Sequence, residues 1–174
     1  MTTLKAHKGR QMDNPEKTTT LISPERKSEL FKRHVSDPEY GGECIKYVSK
    51  ISSVINGLEI DEVLDYGSGK GELAKNLELD HPVKVYLYDP AIPKIDETPE
   101  PRQMVVCVNV MEYVEKEMVD LVLDDIKRCT KDVLFIAIDG KAKDWLPKII
   151  DRFDLMSFVA TGESFFAIAY SDAH

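Results

Sequence analysis

The sequence predicts an α/β protein whose sheet is mostly parallel and ends in an antiparallel hairpin. Three observations carry this. Short apolar runs alternate with amphipathic segments from Glu62 onward. One run, Val63-Leu64-Asp65-Tyr66, passes through Gly67-Ser68-Gly69-Lys70-Gly71 into a helical pattern, which is the order of a strand–loop–helix unit. The last two apolar runs, 155–160 and 164–170, flank only Thr161-Gly162-Glu163, a turn suited to antiparallel pairing.

Residues 1–20 are polar and lack an apolar period, so 1–22 read as a basic, solvated arm and 23–174 as one domain. Ser23 suits a helix cap and Pro24 its first position, with Leu30, Phe31 and Val35 as the apolar side. After a break at 37–42, Cys44, Tyr47, Val48, Ile51, Val54 and Ile55 recur at helical spacing until Asn56-Gly57. Strands are expected at 62–66, 83–88, 104–108 and 132–138. Helices are expected at about 70–79, burying Leu73, Ala74 and Leu77, and around 114–128. A last helix at 144–153 would turn Trp145, Leu146, Ile149, Ile150 and Phe153 inward.

The chemistry concentrates where the first two strands end. Glycine serves where a ligand lies against the main chain, and the helix start that follows presents unpaired N–H groups. Eighteen residues after Gly71 the second strand ends in Asp89, a carboxylate suited to the two hydroxyls of a ribose. The pair reads as a nucleoside site at the carboxyl ends of adjacent parallel strands. A dinucleotide fingerprint would need Gly or Ala at position 72, where this chain has Glu72, and the Walker pattern is absent. Asp65 and Glu72 flank the loop and would repel phosphates but welcome a cation. S-adenosylmethionine, with its sulfonium and ammonium groups, has that character.

At these residues the chain resembles the class I S-adenosylmethionine-dependent methyltransferases. Asp65-Tyr66-Gly67-Ser68-Gly69-Lys70-Gly71 looks like their first motif, Asp89 is similar to their ribose acid, and 105–114 (VVCVNVMEYV) resembles their fourth-strand stretch. The likeness runs from about residue 40 to 170 and is closest to small stand-alone methyltransferases (type 11/12-like) of bacteriophage genomes. It implies a Rossmann-like fold with S-adenosylmethionine as methyl donor and S-adenosylhomocysteine as product. The methionine part would lie on Asp65, Tyr66, Gly67, Ser68, Gly69 and Gly71. The ribose would lie on Asp89, the adenine by Pro90, Ala91 and Ile92 or by loop residues near Cys107, and the sulfonium by Asn109, Val110 and Met111. Glu112 and Tyr113 would face the methyl group as catalytic candidates, and Tyr40 would fold over the site on the acceptor side.

Two departures from the family stand out. Only 15 residues separate Asp89 from Val105, and they include Pro90, Pro93, Pro99 and Pro101. That interval is too proline-rich for a helix and too short for a helix plus a strand. The third strand is therefore expected to be missing, giving the order 2-1-4-5-7-6 in the family's numbering, without the usual adenine-contacting acid. The loop 139–143 is also short, which leaves the acceptor side open. Tyr113 stands where the motif commonly has histidine, which argues against deprotonation by a histidine there.

Charge and composition exclude other classes. The 174 residues carry a formal net charge of −8; residues 1–33 are net +4 and the rest net −12. An acidic body disfavours nucleic acid as the main substrate, although the basic arm keeps that contact open, and a small-molecule acceptor fits best. No apolar run approaches the roughly 18 residues of a membrane helix. Cys44, Cys107 and Cys129 are too scattered for a disulfide framework or a zinc site, and His7, His34, His81 and His174 show no ligand spacing. A cytoplasmic setting follows, the host cytoplasm if the chain is phage-encoded. The reading from a different class is a non-catalytic S-adenosylmethionine-binding protein that sequesters the cofactor or regulates a partner.

Overall fold

The computed structural model of the chain describes residues 20–171. The basic arm expected at 1–22 lies outside them except for its last three residues. Six strands form one sheet: β1 (Glu62–Tyr66), β2 (Lys84–Tyr88), β3 (Arg102–Val108), β4 (Thr130–Asp139), β5 (Phe153–Thr161) and β6 (Ser164–Ser171). Their order is β2-β1-β3-β4-β6-β5. The first four run parallel, and β6 lies antiparallel to both β4 and β5. This matches the expected order with the third strand lost. Between β2 and β3 the chain forms only turns and bends.

β3 and β4 read as continuous apolar runs because both faces of the sheet are covered. Five helices are described: α1 (Pro24–Ser36), α2 (Val48–Gly57), α3 (Glu72–Asn76), α4 (Val119–Cys129) and α5 (Ala142–Ile150). On one face Leu123 and Ile126 of α4 and Ile149 of α5 pack on Val105, Cys107, Leu134, Ile136 and Phe165. On the other, Ile51 and Ile55 of α2 and Leu73 of α3 pack on Val63, Met104, Val106, Phe135 and Ala137. The chain leaves β1 to one side for β2 and returns to the other for β3. A crevice therefore opens at the carboxyl ends of β1 and β3, where ligands of such sheets bind.

Several elements differ from their expected form. α3 stops at Asn76 rather than 79, because α2 captures the chain beyond it: the Glu78 N–H donates to Ser52 Oγ, and Asn56 bonds both Glu78 O and the Asp80 N–H. α4 begins at Val119, after 3₁₀ turns at Met111–Tyr113 and Lys116–Met118. α5 ends at Ile150, which is 51% exposed, while Phe153 opens β5. The largest correction concerns α1. Ser23 caps it and Pro24 opens it as expected, but it adds no residue to the core, and Phe31 and Val35 face solvent.

Candidate functional site

Gly67, Gly69 and Gly71 all adopt left-handed backbone, with φ of +79°, +52° and +75°. At Gly67 space is also decisive, since a Cβ there would stand 2.3 Å from Val110 Cγ2. The Gly67 and Ser68 N–H groups both donate to Tyr88 O, at 2.7 and 2.9 Å, which fastens the loop to the end of β2. Asp89 completes the fastening. Its Oδ2 accepts from the Gly69 N–H at 3.0 Å and its Oδ1 from the Ala91 N–H at 2.9 Å. A carboxylate has about four acceptor positions, so half of this capacity is still free.

Asp65, the last residue but one of β1, is a buried acid whose Oδ2 has no partner. Burial first, and the Asp89 charge second, push it up to about 7. Across the crevice Asn109 turns the chain after β3 with φ +54°, its N–H donating to Ala137 O. Glu112 Oε1 accepts from Asn109 Nδ2 at 2.9 Å and from the Asp139 N–H at 3.4 Å, so this turn is tied to the end of β4. Burial raises Glu112 above the usual carboxylate range. Beyond Asp139 the loop is short. Gly140 lies under the indole of Trp145, whose Nε1 would be 2.7 Å from a Cβ placed there.

The glycine loop, Asp65, Asp89 and Asn109 border a cavity of about 320 Å³. The fourth wall is α1 and the segments beside it, which contribute Ile22, Arg26, Leu30, Arg33, His34 and Tyr40. Polar contacts hold α1 in place. The Ser23 N–H donates to Glu115 Oε2 at 2.9 Å, Arg26 Nε to Tyr113 O at 3.0 Å, and Lys27 pairs with Asp96 at 2.8 Å. Lys70, inside the glycine loop, donates to Asp37 O and Pro38 O. The His34 ring packs on Tyr40 at 4.7 Å, and its Nε2 lies 3.9 Å from Asp89 Oδ2. Burial lowers the His34 pKa, opposed by Asp89 and assisted by Lys70 and Arg33, so the neutral ring prevails near pH 7. Arg33 sits over the Tyr40 ring at 4.1 Å and the Tyr113 ring at 5.6 Å. Burial pushes Tyr40 up to about 12 and raises Tyr113 as well, so both are neutral phenols.

No protein-family model and no curated sequence matches the chain, whereas solved structures do. The 1,6-didemethyltoxoflavin-N1-methyltransferase of Burkholderia thailandensis, solved with 1,6-didemethyltoxoflavin and S-adenosylhomocysteine, superposes with a TM-score of 0.67 at 12% identity, covering 92% of this chain and 93% of that one. The N-methyltransferase NodS of Bradyrhizobium japonicum, solved with S-adenosylhomocysteine, gives 0.63 at 10% identity over 85% and 100%. A putative methyltransferase of Haloferax volcanii, solved with the Trm112 methyltransferase activator, gives 0.60 at 9% over 86% and 97%. The fold is a methyltransferase fold.

Within this methyltransferase fold, the cavity wall includes Tyr40, Asp65, Tyr66, Gly67, Ser68, Gly69, Asp89, Pro90, Asn109, Val110 and Tyr113 from the sequence-based set. The others stand behind it. Gly71 caps α3, Ala91 is buried under the Asp89 carboxylate, Met111 is buried in the core, and Glu112 braces Asn109. Of the α1 residues in the wall, Leu30 was expected on the inner side of that helix, whereas Arg26, Arg33 and His34 were not expected at the site. They lie at helical spacing with Leu30, a mostly basic stripe that apolar periodicity does not show. Among the described residues no group of three or more His, Cys, Asp or Glu side chains could hold a metal, and no helix is long and apolar enough to cross a membrane.

Proposed function

We propose that the chain is an S-adenosylmethionine-dependent methyltransferase acting on a small-molecule acceptor. The observation that carries this reading is a set of buried polar atoms without partners around one cavity: Asp65 Oδ2, Ser68 Oγ and Asn109 Oδ1. Buried polar groups are nearly always paired, so such a concentration marks a place built for a ligand. Asp65 and Asp89, mutually repelling at one end of the cavity, favour a ligand with positive charge there. The glycine loop offers main chain for close approach, and the free acceptor positions of Asp89 suit ribose hydroxyls.

The bound cofactor supplies an electrophilic methyl group on sulfur. The chain's task is then to bind, orient and exclude water. Asp65 would hold the ammonium, Val110 and Pro90 would line the adenine, and Tyr40 and Tyr113 would frame the entry of the acceptor. Both phenols stay protonated at neutral pH and so cannot serve as bases, and Glu112 stands behind the cavity wall as a brace for Asn109. The enclosing α1 and the net −12 of residues 34–174 favour a small acceptor over nucleic acid. The unpaired thiols Cys44, Cys107 and Cys129 suit a reducing cytoplasm.

Titration calorimetry with S-adenosylmethionine, S-adenosylhomocysteine and NADH as control tests the cofactor assignment. Micromolar binding of the first two and none of NADH is expected. Labelled methyl transfer into a lysate then tests catalysis. Binding without transfer to any acceptor would favour the non-catalytic alternative.

A further inference from the structure

We propose that His34 is a ribose-binding residue, holding with Asp89 one hydroxyl of the nucleoside from the α1 side. This rests on the cofactor reading above. The geometry points to it in three ways. His34 Nε2 and Asp89 Oδ2 are 3.9 Å apart, too far for a direct bond, yet both side chains are about nine-tenths buried. A hydroxyl accepting an N–H bond of about 2.9 Å and giving an O–H bond of about 2.7 Å, with roughly 90–110° between them, holds its partners about 4.0–4.6 Å apart. The observed gap of 3.9 Å lies at the short end of the span that one bridging hydroxyl needs.

The donor count also closes. Asp89 Oδ2 accepts only the Gly69 N–H, so it has room for the hydroxyl proton. With the ring proton on Nε2, His34 donates to the hydroxyl oxygen. Nδ1, buried and without a partner, is then a bare acceptor rather than an orphaned donor.

Finally, the placement of α1 makes sense on these terms. The helix contributes no residue to the two core clusters, only its His34 side chain being largely buried, and it is attached to the loops of this site through Glu115, Tyr113, Asp96 and Lys70. Those contacts fix the register at which His34 meets Gly69, where its Cε1 lies 3.0 Å from the position of a Cβ. The Tyr40 ring closes the far side of the imidazole.

The test measures affinities of the unaltered chain, His34→Ala and His34→Gln for S-adenosylhomocysteine and for its 2′-deoxy and 3′-deoxy analogues. His34→Ala is expected to weaken S-adenosylhomocysteine about tenfold, the size of one neutral hydrogen bond. It should leave unchanged the affinity for the one analogue that lacks the bridged hydroxyl. His34→Gln, whose amide can donate from a similar position, should recover most of the loss. Equal affinity of His34→Ala and the unaltered chain for S-adenosylhomocysteine would overturn the proposal. So would an equal loss for all three nucleosides, which would mark His34 as a structural support. Failure of the unaltered chain to bind S-adenosylhomocysteine would instead remove the cofactor reading, and this one with it.

Discussion

Two walls of the same cavity are made on opposite principles. The glycine-loop wall grows out of β1 and β2, elements with Val63, Leu64 and Tyr66 in the core, and its backbone is fixed by Tyr88 O and the Asp89 carboxylate. The α1 wall adds no residue to the core and stays in place through polar contacts to neighbouring loops and the largely buried His34 side chain. The first wall is preorganised by the fold, whereas the second is an attachment held by a few long-range contacts. Local opening free energies follow buried contact, so α1 belongs to the low-stability end of the molecule.

The largest test of this contrast is Gly67→Val. The left-handed backbone and the overlap with Val110 should cost several kcal/mol, lower the melting temperature and abolish nucleoside binding, as followed by thermal unfolding and calorimetry. A variant that melts and binds like the unaltered chain would break the idea of a rigid cradle. Next is Asp65. Its folded pKa near 7 lies above its unfolded value of about 3.9, so the stability it contributes is full below pH 4 and is lost as pH rises through 7. The loss is about 4 kcal/mol, from roughly three pKa units at 1.4 kcal/mol each. Asp65→Asn should flatten urea-denaturation stability between pH 4 and 8. A slope that survives the substitution belongs to another group.

Glu112→Ala removes the acceptor for Asn109 Nδ2 and the Asp139 N–H, and a loss of about 1–3 kcal/mol is expected. Glu112→Gln keeps one oxygen and should lose less than half of that; equal losses would mean that the charge, not the bridge, matters. The smallest effect is expected on the other wall. Lys27→Ala breaks the half-exposed pair with Asp96 and should change global stability by less than about 1 kcal/mol. Hydrogen exchange within 24–36 should nevertheless speed up while 62–71 is unchanged. Equal acceleration in both segments would erase the distinction between them.

The same contrast explains what the sequence made legible. Strand order, the missing third strand and the Asp65–Gly71 loop follow from patterns that repeat wherever parallel strands deliver a ligand to their carboxyl ends. Proline density at 90–101 was enough to read the deletion. The length of α3 was not readable, because Ser52 and Asn56 of α2 end it from outside the segment. Nor was the role of α1, whose inward stripe is basic rather than apolar. His34 lies 55 residues from Asp89 in the chain, and no local rule links them. Elements fixed by periodic burial were legible, and elements fixed by single long-range polar bonds were not.

The contact between Gly140 and Trp145 has a practical consequence. The chain has a single tryptophan, and its indole lies against the short loop after β4 and packs on the core, outside the cavity lining. Its fluorescence is therefore a built-in optical gauge of that loop and the core beside it. An added acceptor that reaches the loop should change the emission, whereas a nucleoside that engages only the glycine wall should leave it quiet. Screening of acceptors can thus proceed without a label, an assay for transfer or any change to the protein.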